Sequence, residues 1–225
     1  MVPPPSVSFL HQDDQLVVVN KPSGLLVHRG WARDEVVAMT QVRDLLGRYV
    51  YPVHRLDRAT SGALLFALDR DTARELQQQF EGGTVEKRYL ALVRGIPPES
   101  GRIDHPVPRK PKSSDRIPAV TDFRRLGTFE RYALMEARPR TGRVHQIRRH
   151  FKHLSHPLIG DVRYGKGDQN RLFRQRFGLH RLALHALELG FEHPATGSKL
   201  AVRAPVEEDL RGPFEAMGLT CELWR

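Results

Sequence analysis

Residues His54 to Gly62, His-Arg-Leu-Asp-Arg-Ala-Thr-Ser-Gly, run straight into Ala63-Leu64-Leu65-Phe66-Ala67-Leu68, an unbroken apolar stretch. Such a stretch next to a glycine reads as a buried strand. Any fold this chain adopts must therefore set Asp57, with Arg55 and Arg58 around it, beside a core. A carboxylate in that position stays ionised only where cations or hydrogen bonds to its charged form replace the lost water. Asp57 is on this ground the candidate reactive group. The same nine residues also read as a turn, in which Asp57 and Thr60 cap backbone groups, Gly62 supplies an unusual backbone angle and the arginines are solvated. On residue types alone the turn is the simpler reading, because structural ion pairs perturb carboxylates too.

The charge balance adds a partner. Lys and Arg number 36 against 26 Asp and Glu, a formal net charge of +10, which points to a polyanion and first to nucleic acid. The 225 residues, 40% of them hydrophobic, suit one fairly large domain or two small ones. The single cysteine, Cys221, excludes an intrachain disulfide framework and a cysteine zinc site, and suits a reducing cytoplasm. No apolar run approaches the roughly 20 residues that span a bilayer, and the leading Met-Val-Pro-Pro-Pro-Ser has no basic-then-apolar order. The expectation is a soluble, untargeted cytoplasmic protein.

Residues 1–6 read as a disordered lead, since Pro3-Pro4-Pro5 cannot join a helix, and 7–225 as a single domain. Leu16–Val19 predicts a strand, Asn20-Lys21-Pro22-Ser23-Gly24 a break, and Leu25-Leu26-Val27 a second strand. A helix is predicted over Val36 to Leu46, ending at Gly47, and another over Asp69 to Phe80, with Asp69 or Asp71 as N-cap and Gly82-Gly83 as the stop. Thr84 to Gly95 alternates as a strand, with Lys87 and Tyr89 on one face and Arg88 and Leu90 on the other. Pro97 to Pro118, rich in proline and charge and containing Arg109-Lys110-Pro111-Lys112, reads as a surface loop with at most one short strand near Arg102 to Pro106. Thr121–Leu126 and Tyr132–Ala137 form a hairpin pair. His145 to Leu154 is a basic helix with Ile147, Phe151 and Leu154 as its apolar stripe. A basic segment from Arg163 to Arg176 follows, then strands near Ala183–Phe191 and Leu200–Ala204 and a helix from Glu207 to Met217. Strands outnumber helices and do not alternate with them, so the fold class is α+β around a mixed, mostly antiparallel sheet with flanking helices.

Two rival chemistries fit poorly. His145, His150, His153 and His156 are close in sequence, but the first two point about 140° apart on a helix. No His-Glu-x-x-His pattern occurs and the neighbourhood is cationic, so no metal is expected. Ser61 lacks the Gly-x-Ser-x-Gly setting of a hydrolase nucleophile. Neither a phosphate-cradling Gly-Lys loop nor a dinucleotide fingerprint is present, so no cofactor is indicated.

Three segments resemble, in the same order, the sequence motifs of the RluA family of pseudouridine synthases. They are His54 to Gly62, Lys87-Arg88-Tyr89-Leu90-Ala91-Leu92-Val93, and Thr141-Gly142-Arg143-Val144-His145-Gln146-Ile147-Arg148-Arg149-His150. Asn20 to Gly24, His156-Pro157-Leu158-Ile159-Gly160-Asp161 and Leu184-His185-Ala186 resemble the family as well, so that the likeness runs from about Phe9 to Pro205. Position 59 is Ala where many of that family have proline. Within the family, Leu26-Val27-His28-Arg29, Gln169-Asn170-Arg171 and Phe177-Gly178-Leu179 are similar to the branch that modifies uridine 65 of tRNA.

The resemblance implies a pseudouridine synthase fold with a central catalytic cleft and an isomerase acting on RNA without a cofactor. It implies that Asp57 is the catalytic carboxylate, paired with Arg148, and that Tyr89 lies against the uracil. Arg55 would push out or replace the target nucleotide, and Lys87 and Arg143 would be supporting cations. Candidate phosphate contacts are Lys110, Lys112, Arg149, Lys152, Arg163, Lys166, Arg171, Arg174 and Arg176. The partner expected is tRNA, the enzyme a monomer with no membrane attachment. No separate amino-terminal RNA-binding domain is expected before the catalytic region, which favours a small or locally folded RNA. A relative acting on ribosomal RNA or another tRNA uridine, and a catalytically silent RNA-binding protein, are the alternatives.

Overall fold

The structure, a computed structural model, describes residues 5–29, 36–110 and 113–219. Lys112, Cys221 and the first four residues of the proline lead lie outside these. In chain order the elements are β1 (Ser8–Gln12), β2 (Leu16–Lys21), α1 (Ala38–Leu46), β3 (Tyr51–Pro52), β4 (Ser61–Ala67), α2 (Arg70–Gly82), β5 (Glu86–Arg94) and β6 (Ser100–Asp104). They continue with β7 (Val107–Pro108), β8 (Arg116–Ile117), β9 (Val120–Phe129), β10 (Tyr132–Pro139), α3 (Gln146–His153), α4 (Gly167–Phe177), β11 (Leu184–Glu192), β12 (Lys199–Arg203) and α5 (Glu208–Ala216). The α+β class with antiparallel pairing is thus as expected. No helix among the described residues is long and apolar enough to cross a membrane.

The chain divides into two compact units, Met1–Glu86 with Ala186–Pro205, and Lys87–His185 with Val206–Arg225. In the first, β1, β2 and β4 pair in that order, Leu16 opposite Ala67 and Lys21 opposite Gly62. Every residue of β2 and β4 is buried, as a short continuous apolar run bounded by turn residues requires. Leu16, Val18, Leu65 and Leu76 form the centre of that core with Leu189 and Ala204. Helix α2 begins where Asp69 accepts hydrogen bonds from the Thr72 amide (2.9 Å) and hydroxyl (2.7 Å) and ends on Gly83 at φ 73°, the cap and stop read from the sequence. Upstream, the Gln41 side chain donates to the Pro5 carbonyl (2.8 Å) and accepts from the Val7 amide (3.0 Å), so the chain is engaged from Pro5 onward.

In the second unit the order is β5, β10, β9, β6, with Tyr89 opposite Ala137 and Ala137 opposite Phe123. Phe123 meets Phe151 of α3 at 5.8 Å between ring centroids. Side chains alternate between faces of a strand, so α3 lies on the face that carries Lys87 and Tyr89. Helix α4 packs through Phe173 edge-on against Tyr132 of β10.

Two expectations need correction, and a segment with no expected element contains one. Leu25–Val27 is irregular rather than a strand, because its carbonyls are taken by the first turn of α1: Ala38 and Met39 donate to Leu26 (2.8 Å) and Val27 (3.0 Å). The Pro97–Pro118 loop contains β6 and the small β7–β8 hairpin, not one short strand; Ile103 and Val107 are buried. The basic segment from Arg163 to Arg176 includes α4, whose buried face is formed by Gln169, Asn170 and Phe173 and so carries little apolar signal.

Candidate active site

Asp57 lies half-buried in the loop between Pro52 and β4. A backbone hydrogen bond from Thr60 to the Asp57 carbonyl (3.0 Å) closes the turn that the sequence suggests. Gly62 enters β4 at φ 115°, and a side chain there would occupy the Ala186 carbonyl, so only glycine fits at this step. His54 anchors the other end: its Nε2 accepts from the Leu65 amide (2.9 Å) and its ring stacks on Phe80 at 4.6 Å.

The segment Asn20–Gly24 is more than a break. Lys21, fully buried at the end of β2, donates from Nζ to the carbonyls of Leu25 (2.8 Å), Pro22 (2.9 Å) and Arg58 (3.2 Å). The Gly24 amide also donates to the Arg58 carbonyl (2.8 Å), and the Ser23 hydroxyl donates to that of Ala59 (2.9 Å). The two residues that follow Asp57 are therefore held by backbone and ammonium donors. A buried ammonium satisfied by three carbonyls cannot be replaced by an apolar chain without leaving acceptors unpaired. Lys21→Met should cost about 2–3 kcal/mol, read in urea unfolding; an unchanged midpoint would show that the clamp carries no stability.

In the second unit Arg148, buried on α3, makes a two-pronged ion pair with Asp161: Nε to Oδ2 at 2.7 Å and Nη2 to Oδ1 at 2.9 Å. Asp161 also accepts from the amides of Arg163 (2.9 Å) and Tyr164 (3.0 Å), and its backbone carbonyl from Gly165 and Asn170. Burial alone would raise its pKa, but the Arg148 guanidinium and these amides hold the carboxyl below the ordinary aspartate value. Tyr164 sits among three guanidiniums, with Arg148, Arg163 and Arg149 carbons 5.2, 5.6 and 5.9 Å from its ring centre. Its hydroxyl meets His145 Nδ1 and Arg149 Nε, each at 3.0 Å.

Helix α3 is itself fixed from below. Gln146 accepts from the Thr141 hydroxyl (2.6 Å) and the Arg143 amide (3.0 Å) and donates to Val120 and Thr121. Buried His150 bridges Thr121 and the His105 carbonyl, and Arg149 donates to the Pro108 carbonyl (2.9 Å).

Asp57 and exposed Arg55 thus belong to the first unit, and Lys87, Tyr89, Arg143 and Arg148 to the second. Lys87 and Tyr89 share one strand face, half-buried, on the side of α3, and exposed Arg143 lies just ahead of that helix. Burial lowers the Lys87 pKa, making it readier than a solvated lysine to release its proton. The clustered histidines have separate partners: His145 meets Tyr164, His150 meets Thr121, His153 stacks on His105 at 3.6 Å and His156 meets the Arg94 carbonyl. Among the described residues no three His, Cys, Asp or Glu groups are placed to hold a metal.

Sequence reasoning missed Lys21, Asp161 and Tyr164 as site-building residues. A lysine ending Leu-Val-Val-Val-Asn-Lys and an aspartate after Pro-Leu-Ile-Gly are the signals that could have found the first two, since ionised groups beside apolar runs need partners.

Comparison with known proteins adds independent findings. The family model described as RNA pseudouridylate synthase matches residues 15–153. The chain is 41% identical to a protein of Haemophilus ducreyi named tRNA pseudouridine synthase C, over 94% of this chain and 96% of that one. Proteins of the same name from Vibrio cholerae and Salmonella typhimurium are 42% and 45% identical, covering 94% and 90% of this chain and 96% and 86% of theirs. Among solved structures, human RNA pseudouridylate synthase domain containing 4 superposes with a TM-score of 0.80 at 27% identity, over 95% of this chain and 94% of that one. Human RNA pseudouridylate synthase domain containing 1 gives 0.74 at 27% identity, over 93% and 89%.

Proposed function

The chain belongs to the RNA pseudouridylate synthase family, and from that membership we propose that it isomerises a uridine of tRNA, at position 65, to pseudouridine, with Asp57 as the reacting carboxylate. The observation that carries the choice of tRNA is the 41–45% identity, over nine-tenths or more of this chain, to relatives named tRNA pseudouridine synthase C. Residues 7–225 act as one catalytic domain, in a monomeric cytoplasmic enzyme.

The reaction breaks the bond between ribose C1′ and uracil N1, turns the base, joins C1′ to C5, releases the C5 hydrogen as a proton and leaves N1 carrying a proton taken up in its place. Nothing is oxidised or reduced. Asp57 serves this as nucleophile or as base, and its loop, clamped by Lys21, Ser23 and Gly24, needs little reorganisation when the substrate arrives. Arg148 is the cation we assign to the reaction, held in place by Asp161. Asp161 is on this account a positioning residue. Tyr89 lies against the uracil, Lys87 on the same strand face supplies a proton-exchanging cation, and Arg55 fills the place of the extruded nucleotide. Arg143 is a supporting cation of the site, and Lys110, Arg149, Lys152, Arg163, Lys166, Arg171, Arg174 and Arg176 take the phosphates. Arg176 also pairs with Glu130 at 2.7 Å.

Pseudouridine mapping by chemical adduct and reverse-transcription stop, on total RNA from cells with and without the gene, tests this. Loss of one tRNA signal at position 65 is expected. Loss of a ribosomal signal instead would overturn the choice of substrate, and no loss anywhere would leave an RNA-binding protein without turnover.

A further inference from the structure

The strand face opposite Tyr89 carries a grid of arginines that the proposed chemistry leaves unused. Alternation along β5, β10, β9 and β6 puts Arg88, Arg138, Arg124 and Arg102 on that face, with Glu136 and Asp122 between them. Arg102, Asp122 and Arg138 form one cross-strand row, and Arg124 and Glu136 stand opposite each other in the next. Glu136 is almost fully buried and accepts from Arg88 (Nη2, 2.8 Å; Nε, 3.1 Å) and Arg138 (Nε, 2.8 Å), with Arg124 at 3.9 Å. Asp122 accepts from Arg102 (2.6 Å) and from Arg140 (2.7 Å), which follows β10.

Two features separate this grid from an ordinary set of surface ion pairs. First, the charges do not cancel: five guanidiniums face two carboxylates, and adding Asp104 on β6 still leaves a positive excess. Second, the carboxylates and Arg88, whose side chain is 18% exposed, are the inner members and the other four arginines the outer ones. The side chain of Glu136 is 2% exposed, whereas those of Arg102 and Arg140 are each 62% exposed, Arg124 57% and Arg138 49%. The hydrogen bonds from Arg102 and, against the cost of its burial, those from Arg88 to Glu136 keep both acids ionised below their usual pKa values. Each acid uses one or two of the five donors on each arginine. The carboxylates thus orient the forks and hold their spacing while the side chains of Arg102, Arg124, Arg138 and Arg140 remain about half or more exposed.

We propose that this face, bounded by the edge strand β6, is a second docking surface for RNA, taking backbone phosphates of a substrate large enough to reach from the Tyr89 face around that edge. The occupant is a structured RNA, because an array of forked donors held at fixed spacing by Glu136 and Asp122 matches closely spaced phosphates and reads no base. The inference takes the RNA substrate proposed for this chain as its premise, and it adds a dependence on substrate size.

The test compares wild type with the triple variant Arg102→Gln, Arg124→Gln, Arg140→Gln, which leaves the Arg88–Glu136 pair in place. Binding of full-length tRNA is measured from low to high salt, and turnover is measured on full-length tRNA and on a short stem-loop carrying the target uridine. Each lost phosphate contact reduces the log–log salt slope by about one, so the slope should fall by roughly two to three and affinity for full-length tRNA at least tenfold. Stem-loop turnover should stay within twofold, and the triple Arg→Lys variant, which keeps the charge, should recover most of the slope. An unchanged slope in a variant that melts like wild type would overturn the surface. Equal loss on the stem-loop would overturn its separateness from the Tyr89 face. If wild type itself neither binds nor modifies tRNA, the functional proposal fails, and this one with it.

Discussion

Asp57→Asn is expected to bind tRNA within about threefold of wild type and to form pseudouridine slower by about four orders of magnitude or more. The substitution keeps the shape of the side chain and removes only the charge and nucleophilicity. The loop does not depend on that charge for its main supports: Lys21 and the Gly24 amide hold the Arg58 carbonyl, Ser23 holds that of Ala59, and Thr60 donates to the backbone carbonyl of residue 57 itself. Folding and RNA binding should therefore survive. Single-turnover mapping of pseudouridine with enzyme in excess separates chemistry from product release. Turnover near wild type would remove Asp57 from the reaction.

Asp161→Ala should be the most destabilising of the substitutions considered. It strips Arg148 of a buried two-pronged carboxylate partner, and breaking such a pair from one side costs about 3–5 kcal/mol because the remaining ion stays desolvated. For a chain of this size that corresponds to a fall in Tm of roughly 10 °C. Asp161→Asn, which keeps the volume and the acceptor for the Arg163 and Tyr164 amides, should fold and allow the pH dependence to be read. In the wild type the Asp161 carboxyl is held below the ordinary aspartate value of 3.8. On acidification the unfolded chain therefore takes up that proton first. The stabilisation is complete above pH 4–5 and is lost as pH falls through 3.8 toward the folded value. In Asp161→Asn this part of the acid decline should be missing, leaving a flatter profile below about pH 4. An acid limb identical to that of wild type would mean that the pair does not stabilise the ionised form.

Much of the frame was legible because local signals and burial agree. Asp69, Gly47 and Gly83 mark helix ends through backbone chemistry within a few residues, and β2 and β4 announce themselves as apolar runs. The failures share another cause, in which a partner distant in sequence decides the local structure. Leu25–Val27 has the composition of a strand, yet its carbonyls are claimed by the first turn of α1. Helix α4 buries Gln169 and Asn170, and these polar residues have partners, Tyr132 for the first and Gly160 and Asp161 for the second; hydrophobic periodicity cannot register them. β6 exists because β9 lies beside it, with Arg102 bonded to Asp122 across the pair.

The candidate site divides along the same line. Residue types made Asp57 a candidate beside the simpler turn reading, and the family resemblance of His54 to Gly62 and Thr141 to His150 favoured Asp57 and added Arg148. The residues that hold them still, Lys21 and Asp161, act across 37 and 13 positions respectively, and their roles became visible only with coordinates. Tyr164 has no charge to draw attention in sequence, although four side chains, His145, Arg148, Arg149 and Arg163, converge on it.

The most direct test is release of tritium to water from tRNA transcripts made with uridine tritiated at C5, since joining C1′ to C5 expels that hydrogen. Purified enzyme without added metal or nucleotide is predicted to release one tritium per molecule from a transcript with uridine at position 65 and none from the same transcript with cytidine there. Equal release from both transcripts would contradict the position, and no release from any tRNA would contradict the enzyme proposed here.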